Sequence, residues 1–181
     1  MARLRPARTS RDPFMTPAWA RYSLRKPRKN YVRAMPHRSI LVFNMGVRND
    51  SYNMTATLNA DAPVQLRSNA LESARQMANK YLEANIPNAY SFKVLVYPHN
   101  VIREHKMATG AGADRISQGM KVNAFGRPVA VAARVGSGQP VFMIKTMAEN
   151  GKLAKMAMRR AMSKLSGKYS IKTQTIGGAA S

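Results

Sequence analysis

The sequence predicts an α+β fold, a two-layer sandwich of mostly antiparallel sheet with two helices, preceded by an extended basic N-terminal arm. Apolar residues recur at strand spacing in several short segments and at helical spacing in two longer ones. The predicted order is β-β-α-β-β-β-α-β, which differs from the regular strand–helix alternation of a parallel α/β protein. Prolines and cations concentrated near the N-terminus separate the arm from this sandwich.

The arm is predicted to comprise residues 1–37. Irregularly spaced prolines interrupt any helix there, and few aliphatic residues are available to form a core. Trp19, Tyr22 and Tyr31 lie among the charges, where they either stack on nucleic-acid bases or hold the arm against its own domain. The expected phosphate contacts in and next to the arm are Arg3, Arg5, Arg8, Arg11, Arg21, Arg25, Lys26, Arg28, Lys29, Arg33 and Arg38.

The folded domain is predicted to span residues 38–176, and residues 177–181 are expected to fray. Residues 38–46 are a β-rich run, and residues 53–61 alternate strictly, so both are predicted strands of one sheet. The apolar face of the alternating strand comprises Met54, Ala56 and Leu58. Further strands are predicted at residues 92–98, 127–135, 139–147 and 168–176, with the second and third of these paired across Gly136-Ser137-Gly138.

The first helix is predicted from Ser68 to Asn85, because apolar residues recur there every three or four positions. Asn69 and Glu72 have the spacing of a capping box, and Pro87 stops the helix.

The second helix is predicted to begin near Thr146, with Glu149 completing a second capping box, and to end at Gly167. Its packing stripe is predicted to comprise Leu153, Ala157, Ala161 and Leu165. Lys152, Lys155 and Arg159 are spaced i, i+3, i+7 on another side, so this helix can pack inward and hold phosphates outward.

The charge of the chain requires an anionic partner. Thirty lysines and arginines face eight carboxylates, giving a formal net charge of +22. Nucleic acid is the partner that best fits this excess, because cations that neutralise phosphates release condensed counterions, and an anionic membrane surface is the second candidate. Since the sequence has no cysteine, it has no disulfide, no thiolate metal ligand and no cysteine nucleophile. No cofactor or metal is expected, and no segment predicts a membrane span.

Residues suited to catalysis are few. His99, Glu104 and His105 are close in sequence and offer one acid/base hypothesis, that of an enzyme acting on RNA. Gly110-Ala111-Gly112 does not complete a P-loop, because Ala113 and Asp114 follow where that motif needs Gly-Lys-Ser or Gly-Lys-Thr. The composition therefore favours a binding protein over an enzyme.

A flexible loop is predicted at residues 103–121. It exceeds the roughly 4 to 6 residues that usually join elements in a compact domain. Its glycines and alanines make the backbone thin, and cations flank them, so it is either a basic finger that enters an RNA cavity or a plain surface loop.

Four segments carry a resemblance to a known family. They are the start MARLRPAR, the motif RKPRKNYVR (25–33), KMATGAGADRISQGM (106–120) and AFGRPVAVAARV (124–135). Together they resemble the archaeal branch of the universal large-subunit ribosomal protein family, called L-sixteen in bacteria and L-ten-e in archaea and eukaryotes. The resemblance runs from the first residue to about Lys168.

The resemblance implies a hammerhead-type α+β domain and a structural, non-enzymatic role in the cytoplasmic ribosome. It implies binding to large-subunit rRNA, with 5S rRNA and other large-subunit proteins nearby. It also implies that the protein helps organise the site where aminoacyl-tRNA is accommodated. The arm and second-helix cations named above are then the rRNA contacts. The expected residues of the loop, directed toward the peptidyl-transferase centre or A-site tRNA, are Arg103, His105, Lys106, Met107, Gly110, Gly112 and Arg115.

Three alternatives remain open on sequence alone. A free-standing architectural protein would use its basic ends to wrap DNA and would leave a lysate with chromatin. An enzyme acting on RNA would depend on His99, Glu104 and His105. A membrane-surface protein would use the helix at 146–166, but that helix has no Trp or Phe to anchor it.

Overall fold

The computed structural model describes residues 26, 28, 32, 34–105, 110–111 and 126–175. Within these residues the chain is an α+β protein with two helices and antiparallel sheets, as predicted. The elements in chain order are β1 (Asn44–Gly46), β2 (Met54–Ala60), β3 (Val64–Arg67), α1 (Ser68–Asn85), β4 (Tyr90–Val94), β5 (Asn100–Glu104), β6 (Arg127–Val135), β7 (Pro140–Thr146), a 3-10 turn (Ala148–Asn150), α2 (Gly151–Met162) and β8 (Tyr169–Thr175).

A five-stranded sheet with the order β1-β4-β7-β2-β8 forms one layer, and all its neighbouring strands are antiparallel. Its inner face is apolar: Ala56, Leu58 and Ile144 are fully buried, and the rings of Phe92 and Phe142 meet edge to face at 5.4 Å. The predicted apolar face of the alternating strand is confirmed, and β1 and β2 belong to one sheet, as expected.

The two helices form the second layer and share one core with the inner face of the sheet. α1 agrees with its predicted bounds. Its buried residues Leu71, Ala74, Ala78 and Leu82 are spaced at three or four positions, which places them on one side of the helix. Burying each leucine contributes roughly 1.5 to 3 kcal/mol, so this stripe is a main attachment of α1.

α2 begins later than the sequence suggested, and the second capping box is wrong. Thr146 is the last residue of β7, and its hydroxyl donates to the Ala89 carbonyl at 2.9 Å, so it cannot cap a helix. The chain then forms the 3-10 turn before α2 starts at Gly151. α2 ends at Met162, and Gly167 lies in the turns that follow it, with φ +104°.

The packing stripe of α2 is also rotated from the predicted one. Ala157 and Ala161 are fully buried as expected, whereas Leu153 and Leu165 are partly buried at the margin of the core. Ala154 and Met158 take the central positions, with no exposed surface. The small alanines allow α2 to lie close to the sheet, and Met158 fills the remaining space.

The capping box predicted for α1 is wrong as well. The N-cap position is Arg67, which makes no side-chain capping bond. The side chain of Asn69 instead accepts a hydrogen bond from the Ser39 hydroxyl at 2.7 Å. Glu72 accepts from Arg75 Nε at 2.9 Å, so both predicted capping residues are engaged elsewhere.

A second, three-stranded sheet has the order β3-β6-β5, and this corrects the predicted pairing of residues 127–135 with 139–147. β6 and β7 lie in different sheets. The glycine turn between them is fastened to the end of β2 instead, since the Gly138 N–H donates to the Ala60 carbonyl at 2.7 Å. A hairpin would have needed those strand ends to face each other.

Strands β3 and β5 were not predicted. β3 has only four residues and passes directly into α1, with no turn residue to mark its end. β5 contains Asn100, Arg103 and Glu104, which obscure any alternation. The predicted loop at 103–121 therefore starts inside β5.

Candidate nucleic-acid interface

The arm cations are described by the structure at three positions. Lys26 and Arg28 are exposed, and Arg38 is half-buried. The predicted contacts that lie outside the described residues are Arg3, Arg5, Arg8, Arg11, Arg21, Arg25, Lys29 and Arg33, together with the aromatic residues Trp19, Tyr22 and Tyr31.

Arg38 belongs to an exposed aromatic cluster. Its guanidinium lies 5.2 Å from the centroid of the Tyr97 ring. Tyr97 in turn stacks on Phe43 at 5.4 Å and contacts the ring of His99 at 4.6 Å. A cation over an exposed aromatic ring stabilises the contact by about 0.5 to 1 kcal/mol, so Tyr97 holds Arg38 at the surface.

Sequence reasoning missed Tyr97. The signal was available, because burial alternates after β4: Val94 and Val96 point inward, while Leu95, Tyr97 and His99 are exposed. The apolar run at residues 92–98 predicts a buried strand, and this interpretation leaves out the side chains that point outward.

α2 presents cations to solvent as predicted. Lys152, Lys155 and Arg159 are all exposed, while the opposite side of the helix carries the buried alanines. Arg160, which the sequence did not single out, lies 4.1 Å from the centroid of the Tyr81 ring on α1. Arg159 and Arg160 occupy the last turn, where positive charge interacts favourably with the helix dipole.

The base of the predicted finger is fixed by Arg103. Its Nε donates to the Gly126 carbonyl at 3.1 Å, and its Nη2 donates to the same oxygen. This guanidinium therefore joins the two ends of the connection between β5 and β6. His105 and Gly110 are exposed, and Lys106, Met107, Gly112 and Arg115 lie outside the described residues.

The three acid/base candidates do not converge. His99 precedes β5 and His105 follows it, so their backbones are about 20 Å apart at roughly 3.3 Å per strand residue. His99 contacts Tyr97, and Glu104 pairs with Arg127 in the register of β5 and β6. Among the described residues, no group of three or more His, Asp or Glu is arranged to hold a metal ion.

Ionisable groups on α1, β4 and β8 have shifted pKa values. The hydrogen bonds from Arg75 lower the pKa of Glu72 on α1. Burial raises the pKa of Tyr169 to about 12, and burial also raises the pKa of Tyr90.

In the described part of the chain, no helix combines the length and the apolar character of a membrane span.

The structure thus places exposed cations on α2 and a half-buried Arg38 against Tyr97, an arrangement typical of proteins that bind polyanions. A sequence model of the family described as ribosomal protein L16p/L10e matches residues 19–172. The chain belongs to this family of ribosomal proteins and is not an enzyme. The match begins at residue 19, so the first residues of the expected resemblance lie outside it.

Curated relatives from archaea support the membership. The large ribosomal subunit protein uL16 of Archaeoglobus fulgidus is 43% identical over 148 residues, which cover 81% of this chain and 84% of that protein. The protein of the same name from Thermofilum pendens is 44% identical over 163 residues, covering 90% and 92%. That of Methanocella arvoryzae is 46% identical over 145 residues, covering 80% and 84%.

Proposed function

We propose that the chain is a structural constituent of the large ribosomal subunit that binds rRNA and helps organise the aminoacyl-tRNA accommodation site. Membership of the L16p/L10e family over residues 19–172 carries this proposal. The partners are large-subunit rRNA, 5S rRNA nearby, A-site tRNA and neighbouring large-subunit proteins, in the ribosomes of the cytoplasm. The membership favours this role over that of a free-standing architectural protein.

Attachment to rRNA is assigned to the arm and α2. The net charge of +22 favours a phosphate backbone, because each neutralised phosphate releases counterions. Lys152, Lys155 and Arg159 are exposed on a helix whose other side is held in the core, so they contact a partner without rearrangement. Arg38 is positioned by its contact with Tyr97.

The connection between β5 and β6 is assigned to tRNA handling. It leaves the end of a three-stranded sheet, and Arg103 fastens its two ends together. A loop with a fixed base can be held in one direction while its tip, rich in glycine and alanine, fits a narrow space. We infer that it extends toward the peptidyl-transferase centre.

Deleting Ala108–Ala113 tests this division of labour, because the deletion removes no charged residue. The variant is expected to enter large subunits at nearly normal stoichiometry, and those subunits are expected to accommodate aminoacyl-tRNA more slowly or less accurately. Two quantities are measured for each variant: occupancy on purified large subunits, and the accommodation rate of subunits that retain the protein.

A matched variant replaces Arg25, Lys26, Arg28 and Lys29 with glutamine. Unlike the loop deletion, it is expected to weaken incorporation of the protein into large subunits, because these cations position the protein on phosphates. If the loop deletion empties the subunits while accommodation on the occupied remainder stays normal, the loop is an anchor and the assignment fails.

A further inference from the structure

The face of the five-stranded sheet opposite the helices carries exposed side chains, among them Lys93, Lys172 and Gln174, and is called the open face below. Directly opposed residues of antiparallel strands lie on the same face, so the strand register defines two rows across this surface. From β1 to β8, one row is Asn44, Lys93, Met143, Thr57 and Lys172, and the next is Gly46, Ser91, Lys145, Thr55 and Gln174. Asn59 and Ser170 lie opposite each other beyond the first row.

These two rows contain three lysines and no carboxylate. Lys93 and Lys172 are exposed, and Lys145 is half-buried. Lys93 and Lys172 lie in the same row three strand spacings apart, roughly 14 Å between backbones, and Lys145 is about 7 Å along the strands from that row. The positive charge is therefore spread over the sheet and not concentrated at one point.

Two polar side chains on the same face are nearly buried. Thr55 and Asn59 are each only 8% exposed, and Thr55 Oγ1 and Asn59 Oδ1 have no hydrogen-bond partner among the described residues. Buried polar atoms without a partner are uncommon in folded proteins. These two atoms are inaccessible to solvent, so the groups that match the 2′-hydroxyl of a ribose are the exposed amides of Asn44 and Gln174 in the two rows.

We propose that this open face, centred on Lys93, Lys145 and Lys172, binds the sugar–phosphate backbone of RNA. It is a third contact surface, in addition to the arm and α2, and it rests on the proposed rRNA-binding function. The lysines meet phosphates, and the exposed amides of Asn44 and Gln174 meet ribose hydroxyls.

An RNA strand fits this face better than a protein does. The core of a protein interface is built on large apolar or aromatic anchors, and Met143 is the one large apolar residue in the two rows. The exposed apolar side chains Val42 and Leu95 lie beyond the ends of β1 and β4. The centre of the face is thus polar and basic.

The test compares two full-length triple variants that remove the same charge. Lys93, Lys145 and Lys172 are replaced with glutamine in one, and the exposed Lys80, Lys164 and Lys168 in the other. Binding to a large-subunit rRNA fragment is measured over a range of salt concentrations. Each lost phosphate contact reduces the slope of log K against log salt by about 0.7 to 1. The sheet variant should therefore lose roughly 2 to 3 units of slope, and the control variant less than about 1.

The outcomes separate this inference from the proposed function. A sheet variant whose affinity and slope change no more than those of the control overturns the inference. A wild-type chain that does not bind the fragment overturns the proposed function itself.

A second measurement does not depend on how the variants fold. Ultraviolet cross-linking of native large subunits, followed by mass spectrometry, should find RNA attached to peptides from β4 and β8. Lysine-reactive cross-links from Lys93 and Lys172 to a neighbouring protein, without any RNA adduct on these strands, would show that a protein covers the face and would overturn the proposal.

Discussion

At the scale of the residue, Gly126 directly precedes β6 and occupies a position that only glycine can adopt without strain. Its φ is +76°, and a Cβ at this position would lie 2.5 Å from the Glu104 carbonyl oxygen and 2.7 Å from the His105 nitrogen. These atoms are backbone and cannot move aside as a side chain would. The same glycine carbonyl accepts the hydrogen bonds of Arg103.

Gly126→Ala is expected to lower the free energy of unfolding by about 2 to 4 kcal/mol, because it adds a steric clash to a left-handed backbone strain. Gly138→Ala is the matched control: its φ is +75°, but nothing lies within 4 Å of the added Cβ. The control substitution should lower the free energy of unfolding by only about 1 kcal/mol. Urea unfolding measures both losses, and equal losses would contradict the explanation by a backbone clash at Gly126.

Tyr169 gives the fold a dependence on alkaline pH. Burial raises its pKa to about 12, against 10.0 for an ordinary tyrosine, and its hydroxyl donates to the Ser166 carbonyl at 2.6 Å. A raised folded-state pKa means that the stabilisation is complete below pH 10 and is lost as the pH rises toward 12.

The difference in the free energy of unfolding between wild type and Tyr169→Phe should therefore be constant below about pH 10. Above that pH the wild type should lose stability relative to the variant. Denaturant unfolding from pH 8 to 11.5 measures this difference, and comparison with the variant cancels the titration of the lysines. A difference that stays constant over the whole range would contradict the assignment.

At the scale of the element, long periodic segments were predicted well and short ones were not. α1 was predicted to the residue because its apolar spacing persists over five turns. β3 and β5 were missed because a strand of four or five residues has too few positions to show alternation. Both capping boxes failed because Thr146 and Asn69 form hydrogen bonds with distant residues, Ala89 and Ser39, which no local pattern contains.

α2 allows charge to be tested apart from stability. Replacing Lys152, Lys155 and Arg159 with glutamine should change the free energy of unfolding by less than about 1 kcal/mol, because all three side chains are exposed. The same variant should be incorporated into large subunits less efficiently, since it loses three phosphate contacts. Thermal unfolding and subunit occupancy measure the two effects. Normal occupancy of the variant on large subunits would show that α2 is not part of the RNA-binding surface.

At the scale of the whole molecule, the sequence predicted the class of partner better than the surface that meets it. The net charge and the four family segments needed no structure. The Arg38–Tyr97 contact, the Arg160–Tyr81 contact and the open face of the sheet could not be predicted, because they join residues far apart in the chain. Lys93, Lys145 and Lys172 share a face only because β4, β7 and β8 lie in one sheet in this order.

The most direct test of the central claim is sedimentation of a native lysate through a sucrose gradient at moderate salt, with the chain followed by antibody. The account predicts that the chain sediments with large ribosomal subunits and moves to the top of the gradient after ribonuclease treatment. A chain that remains at the top of the untreated gradient, or that leaves with chromatin, would contradict it.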